Sequence, residues 1–422
     1  MRTASSRGAL AGRIQPISLR RNFAWTFTGN AFLGACQWAV LSLLAKFGTG
    51  EMLGEYALAV AVITPLAMLS HLNLRAVLAT DMEYRHAFGD YLAVRLATTA
   101  AVLAAMGVIA LVSGYPATVA AAMILVGVSL SVEIISDIYY AALQRSERMS
   151  EIARSMMARG FLSLIAFGTV LFFTRRLVPA VATLVVARIA VLFVYDRPKG
   201  STGQSLSRSG IRVQLEIFRT ALPLGVVLML VSLTSNIPRY AVQRHLGTRE
   251  LGVFAAVAAF LAVGSTVANA LGQSATPRLA RYYSERNLGE FRHLVLRLTG
   301  LVVLLGAVGV LVSALLGGFL LRVLYRPDYA LYGGLLVEVM AAGICVYVAV
   351  VLGYVITSAR SFLVQMPLLA TVAATSAIAS WLLVPSLGLN GAVLAVAIAA
   401  SVQIVGEVLI LRGALRRVEE TA

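Results

Sequence analysis

Apolar runs broken by short polar connections recur along the whole chain. They lie near 24–46, 55–75, 91–113, 117–140, 153–174 and 178–195, then near 219–241, 251–273, 296–320, 332–356, 362–384 and 390–411. Each run is continuous rather than alternating, which excludes membrane β-strands. Each approaches the roughly 20 residues that a helix needs to cross the hydrocarbon core. The pattern predicts an all-α integral membrane protein with about twelve transmembrane helices, six in each half.

The halves echo one another. Gly48-Thr49-x-Glu51-x-Leu53-Gly54-x-Tyr56-Ala57 returns as Gly247-Thr248-x-Glu250-Leu251-Gly252-x-Phe254-Ala255, one residue shorter. Each copy precedes the second apolar run of its half, and midway along that run comes a helix-weakening residue, Pro65 or Gly264. Leu177-Val178-Pro179 and Leu383-Val384-Pro385 both fall between the fifth and sixth runs. Duplicated sets of spans are a mark of transporters, whose sites lie between the copies. An even number of spans gives the two lobes the same direction through the membrane. The expected organisation is a basic tail (1–21), a first lobe (22–197), a linker (198–217), a second lobe (218–412) and a short charged tail (413–422). The Gly/Ser content of the linker is that of a flexible connection.

Composition agrees: 59% of residues are hydrophobic and 13% charged, and mean hydropathy is +0.85. A net charge of +16 invites a nucleic-acid partner, but its distribution excludes one. With the N-terminus placed in the cytoplasm, 27 of the 35 Arg and Lys fall on the cytoplasmic side. This is the positive-inside pattern, so both termini and the linker are expected in the cytoplasm. The first apolar run is too long for a cleaved signal peptide. Cys36 and Cys345 each sit alone in an apolar run and form no metal or redox motif, so no metal or cofactor is expected.

Several segments carry a resemblance. They are Gly48 to Ala57 after the first span, Asn236-x-x-Arg239 before Leu246-Gly247, and Tyr325-Arg326-Pro327-Asp328-Tyr329 after the ninth span. The last is Pro385-Ser386-Leu387-Gly388-Leu389-Asn390-Gly391-Ala392 before the final span. In order and spacing the chain resembles, over nearly its whole length, the polysaccharide flippase (Wzx-like) family of the MOP superfamily, related to MATE exporters and the MurJ lipid II flippase. Arg326 departs from the family's turn, where Gly is usual. The resemblance implies a V-shaped, non-enzymatic carrier in the bacterial inner membrane. It would move a polyprenyl-pyrophosphate-linked oligosaccharide from the inner to the outer leaflet, in company with polysaccharide polymerase or export machinery. A MATE-like drug exporter is the alternative on the same fold. A membrane polymerase or ligase is disfavoured by external connections as short as Ser113-Gly114-Tyr115-Pro116.

Ionisable groups inside spans are functional candidates because hydrocarbon is costly for them. Arg188 is the deepest, and a guanidinium suits a pyrophosphate; the alternative is an internal pair with Glu133. Arg159 is intermediate in depth. Arg75, Arg95 and Arg239 are near span ends, where snorkelling competes with binding. Together Arg188, Arg239, Arg159 and Arg75 are the candidate substrate contacts. Glu133 and Asp137, four residues apart on one helix face, and Glu338 are the candidate ion-coupling carboxylates. A carboxylate driven toward its neutral form by burial can carry a proton. Glu407 lies near Arg412 and reads as a helix-end charge. Asn30, Gln37, Trp25 and Trp38 give the first span a polar, aromatic face suited either to sugars or to helix packing. Pro65 and Gly264 are the candidate hinges.

Overall fold

A computed structural model describes residues 19–80, 85–202, 204–359 and 362–420. Most of the basic tail expected at 1–21 lies outside the described residues, and the first helix begins at Leu19. The first lobe comprises α1 (Leu19–Phe47), α2 (Gly50–His71), the short α3 (Leu74–Thr80), α4 (Phe88–Val112), α5 (Ala117–Arg145), α6 (Met149–Thr174) and α7 (Leu177–Val191). A π-helical turn, Leu192–Asp196, continues α7 into α8 (Arg197–Ser201). The second lobe holds α9 (Ile211–His245), α10 (Thr248–Ser284), α11 (Leu288–Leu324), α12 (Gly333–Ser358) and α13 (Phe362–Glu420).

Eleven helical segments among the described residues are long and apolar enough to span a membrane. The last is two spans. Gly388 adopts φ 61°, ψ −137°, outside the helical region and accessible to glycine without strain. A Cβ added at Gly391 would overlap the Leu383 carbonyl and lie 3.0 Å from the Val384 nitrogen. Eight residues of straight helix would separate those positions by about 12 Å. The chain therefore doubles back, giving twelve crossings among the described residues, in two sets of six. α9, α10 and α11 run to 35–37 residues, longer than a bilayer requires. Their extra turns carry Arg212, Arg219, Arg281 and Arg292 at the end where the linker lies.

The linker is not free. The Ser209 amide and hydroxyl both donate to the Asp90 carboxylate at 2.8 Å, and Asp90 is completely buried. The Gly89 amide donates to the Ser205 carbonyl. This polar strap holds the start of α4 against the start of α9, an order that the Gly/Ser composition did not reveal. The charged tail expected after residue 412 continues the helix to Glu420.

The duplicated motif is where the lobes meet. A Cβ on Gly54 would overlap the Thr248 carbonyl, and one on Gly252 would overlap the Gly50 carbonyl and lie 2.9 Å from the Gly54 nitrogen. Each copy's second glycine thus receives the start of the other copy's helix. Small residues let backbones approach in lipid, where tight packing replaces the hydrophobic effect as the driving force. Seven consecutive residues, Leu251–Val257, are buried there. The largest apolar cluster runs through both lobes at this end; toward the linker end one cluster joins the first lobe to Ile217 and Ala221 of α9, and another is confined to the second lobe. α1 touches α10 through Trp38 and Phe260, edge to face at 6.0 Å. Nearer the linker, Asn30 on α1 and Asn269 on α10 are both exposed. The molecule is closed at the end of the Gly-Thr motifs and splayed between α1 and α10 at the other.

α2 keeps the lobes joined. Pro65 has no amide hydrogen, so the Ala61 carbonyl one turn earlier loses its helical partner. The Tyr240 hydroxyl of α9 donates to that carbonyl at 2.6 Å. Pro238 likewise frees the Thr234 carbonyl, which accepts from Ser376 Oγ at 3.3 Å.

Candidate functional site

Glu133, Asp137 and Tyr140 occur at i, i+4 and i+7 on α5 and so face one way. Glu133 divides its carboxylate between two helices. Oε1 lies 3.1 Å from Arg159 Nη2 of α6, and Oε2 lies 2.9 Å from Arg188 Nη1 of α7. The Arg188 contact is an ion pair without hydrogen-bond alignment. One turn on, Asp137 meets Arg75 Nη1 and His71 Nε2, each at 3.2 Å. Arg75 Nε donates to Gln144 at 2.8 Å. The Tyr140 ring lies between the guanidiniums of Arg75 and Arg159, 5.7 and 5.9 Å away, a favourable face for cations. Its hydroxyl is 2.6 Å from Ser155 Oγ, and that oxygen contacts the buried Asp196 in the π-helical turn.

Three guanidiniums therefore face two carboxylates. Asp196 lies one hydroxyl further along the same network, and all of these charges sit in a helix bundle where charge is weakly screened. Arg159 Nε and Nη1 and Arg188 Nε are buried donors without a protein acceptor. Beside them is a cavity of about 50 Å³, lined by both arginines with Gln37, Tyr56, Ser163 and Cys36. Its lining contains no carboxylate. This pocket can accept an anion with several oxygens.

Arg188 pairs with Glu133, the alternative left open by its sequence, and it also lines a cavity. Arg159 is the more deeply enclosed, its side chain 4% exposed. Arg75 is drawn inward to Asp137 instead of snorkelling. Arg95 is fully buried, donating to the Ser70 and His71 carbonyls at 2.9 and 2.8 Å. There it neutralises the C-terminal end of α2.

The second lobe has a larger cavity of about 380 Å³ between α9, α10, α12 and both limbs of α13. Its wall is mostly aliphatic, with Arg239, Thr234, Asn269 and Gln403 as polar points. Arg239 Nη1 donates to Asn236 Oδ1 at 2.7 Å, and among the described residues no carboxylate pairs with it.

Two carboxylates are not where their sequence suggested. Glu338 is exposed and lines neither cavity: the tenth span turns Leu335, Leu336 and Val339 inward and leaves position 338 outside. Glu407 is buried at 4% exposure. It accepts from Gln403 Nε2 at 3.0 Å, with no ion-pair partner among the described residues, while Arg412 is exposed. Gly264 leaves room for the Tyr347 ring, which would overlap any Cβ there. Asn30 and Gln37 are exposed, Gln37 lining the smaller cavity. Among the described residues no group of His, Cys, Asp or Glu could hold a metal ion.

Sequence reasoning missed His71, Tyr140, Tyr240 and the burial of Glu407. Tyr140 had a usable signal, three residues beyond Asp137 on the same face. His71 and Tyr240 had none, because their partners come from other helices.

No family model matches the chain. It is 25% identical over 388 residues, 91% of this chain and 97% of the other, to the capsular polysaccharide biosynthesis protein CapF of Staphylococcus aureus. Among solved structures it superposes on an inward-facing multidrug-resistance MATE transporter of the MOP superfamily with TM-score 0.76 and 12% identity. That alignment covers 94% of this chain and 99% of the other. It superposes on the lipid II flippase MurJ, in an inward closed conformation, with TM-score 0.75 and 10% identity, covering 92% of this chain and 88% of the other.

Proposed function

We propose that this chain, which has the fold of the MOP-superfamily transporters MATE and MurJ, flips a polyprenyl-pyrophosphate-linked oligosaccharide across the bacterial cytoplasmic membrane during polysaccharide synthesis. The observation that carries this reading is the pair Arg159 and Arg188, with buried donors to spare beside a small cavity free of carboxylates. A pyrophosphate needs fixed positive charge and several donors, which two guanidiniums supply at any physiological pH. The similarity to CapF, a capsular polysaccharide biosynthesis protein, supports the substrate class.

The Arg asymmetry puts the linker end in the cytoplasm, so the splayed form is the one that loads. The separation of α1 from α10 would admit a headgroup while its lipid tail stays in the bilayer. Rocking about α2 would then open the end of the Gly-Thr motifs. On this reading both termini are cytoplasmic, the partners are the lipid-linked glycan and the polymerase or export machinery that receives it, and the protein transports without catalysing a reaction.

A cationic-drug exporter is the second reading, favoured by the buried Glu407 near an aliphatic cavity and disfavoured by Arg239 in that same cavity. Export of the glycan in a deletion strain complemented with Arg188 variants separates them. Arg188→Ala should stop export at normal protein level, and Arg188→Lys, which keeps charge without the fork, should retain part of it. Full export by Arg188→Ala would overturn the assignment.

A further inference from the structure

Glu133 holds the two arginines in a way that leaves both incompletely used. Each carboxylate oxygen serves one guanidinium, so neither arginine is engaged by the parallel, two-bond geometry that a guanidinium favours. The unspent donors are Arg159 Nε and Nη1 and Arg188 Nε. A buried donor without an acceptor is costly to leave unmade, and here three lie together beside the same cavity. That cavity, about 50 Å³, has room for one phosphoryl-sized group and not for a sugar.

The mobility needed for exchange belongs to Glu133. Its side chain is 26% exposed, against 4% and 12% for Arg159 and Arg188. Asp137, one turn away, is held by Arg75 and His71 and cannot take Glu133's place. We propose that Glu133 is an internal stand-in for a substrate phosphoryl group, holding Arg159 and Arg188 together in the empty carrier and displaced from them when the phosphoryl group enters. This rests on reading the arginine pair as a phosphate site, and adds how that site is kept in register when empty.

The test uses the purified full-length chain in detergent, titrated calorimetrically with inorganic pyrophosphate and with geranyl pyrophosphate. Glu133→Gln removes the competing charge and keeps the shape, so it should bind at least about tenfold tighter than the parent, because the site is no longer occupied from within. Glu133→Asp, whose carboxylate is withdrawn by one methylene, should fall between.

Ligand should raise the melting temperature of Glu133→Gln more than that of the parent, because only the variant has two unpaired arginines to satisfy. A purely structural clamp would not produce this pattern. Equal or weaker binding by both variants would overturn the displacement. If Glu133→Gln does not fold, Glu133→Asp decides by the same criteria. A gain for geranyl pyrophosphate alone would support displacement by lipid-borne phosphate, and a gain for both would extend it to free pyrophosphate. The phosphate reading has its own signature: binding by the parent that is lost in Arg188→Ala. Absence of binding by every form would sink both.

Discussion

Adding one methyl group at Gly54 should pry open the closed end of the molecule. A Cβ there would overlap the Thr248 carbonyl and stand 2.7 Å from its carbon and 2.8 Å from Thr248 Cγ2. Carbon atoms settle at about 3.5–4.0 Å, so the α2 and α10 backbones must part by at least about 1 Å. A backbone carbonyl has no rotamer into which to retreat. Overpacking of this kind costs about 1–3 kcal/mol, and the cost falls only on the state in which the two motifs touch. The balance between closed and open forms at this end should therefore shift by roughly 5- to 150-fold. Spin labels at Glu51 and Arg244, both exposed, would report it as a longer-distance population in pulsed dipolar spectra. Gly107→Ala is the control, since a Cβ there meets nothing within 4 Å. Parent-like distances and full export in Gly54→Ala would refute the claim that the duplicated glycines form the gate.

Three further outcomes can be checked. A Cβ at Gly50 would lie 3.4 Å from Arg249 Cγ, so Gly50→Cys with Arg249→Cys should oxidise readily and stop export until reduced; export with the bond intact would show that this end need not open. Tyr240→Phe should destabilise the protein by about 1–3 kcal/mol in thermal unfolding, because the Ala61 carbonyl is left unsatisfied. In a Pro65→Ala background, where the helix regains the amide hydrogen, the same change should be close to neutral, and an undiminished cost would refute the pairing. Glu338→Gln should leave transport in proteoliposomes as dependent on an imposed pH gradient as before, since that side chain is exposed; loss of the dependence would return Glu338 to the mechanism.

The run lengths of apolar residues settled the number of crossings, because a bilayer demands about twenty per helix and little else satisfies that demand. The Gly-Thr repeat, read along the sequence, revealed a duplication. Only packing showed that its glycines exist for each other, since Gly54 and Thr248 lie almost two hundred positions apart. Depth along a helix identified Arg188 and Arg159 as candidates, but depth has no azimuth. Glu338 turns outward and Glu407 inward because sequence gives how far along a helix a residue lies, and the neighbouring helices decide whether it turns toward them. Likewise the Gly/Ser composition of the linker recorded only its freedom when unfolded, while Asp90 supplied acceptors that hold it in place. What the sequence determined by itself was what each segment can do alone in lipid or water. What the tertiary structure decided was every pairing between segments, because hydrogen bonds and ion pairs act over a few ångströms in space and carry no trace of separation along the chain.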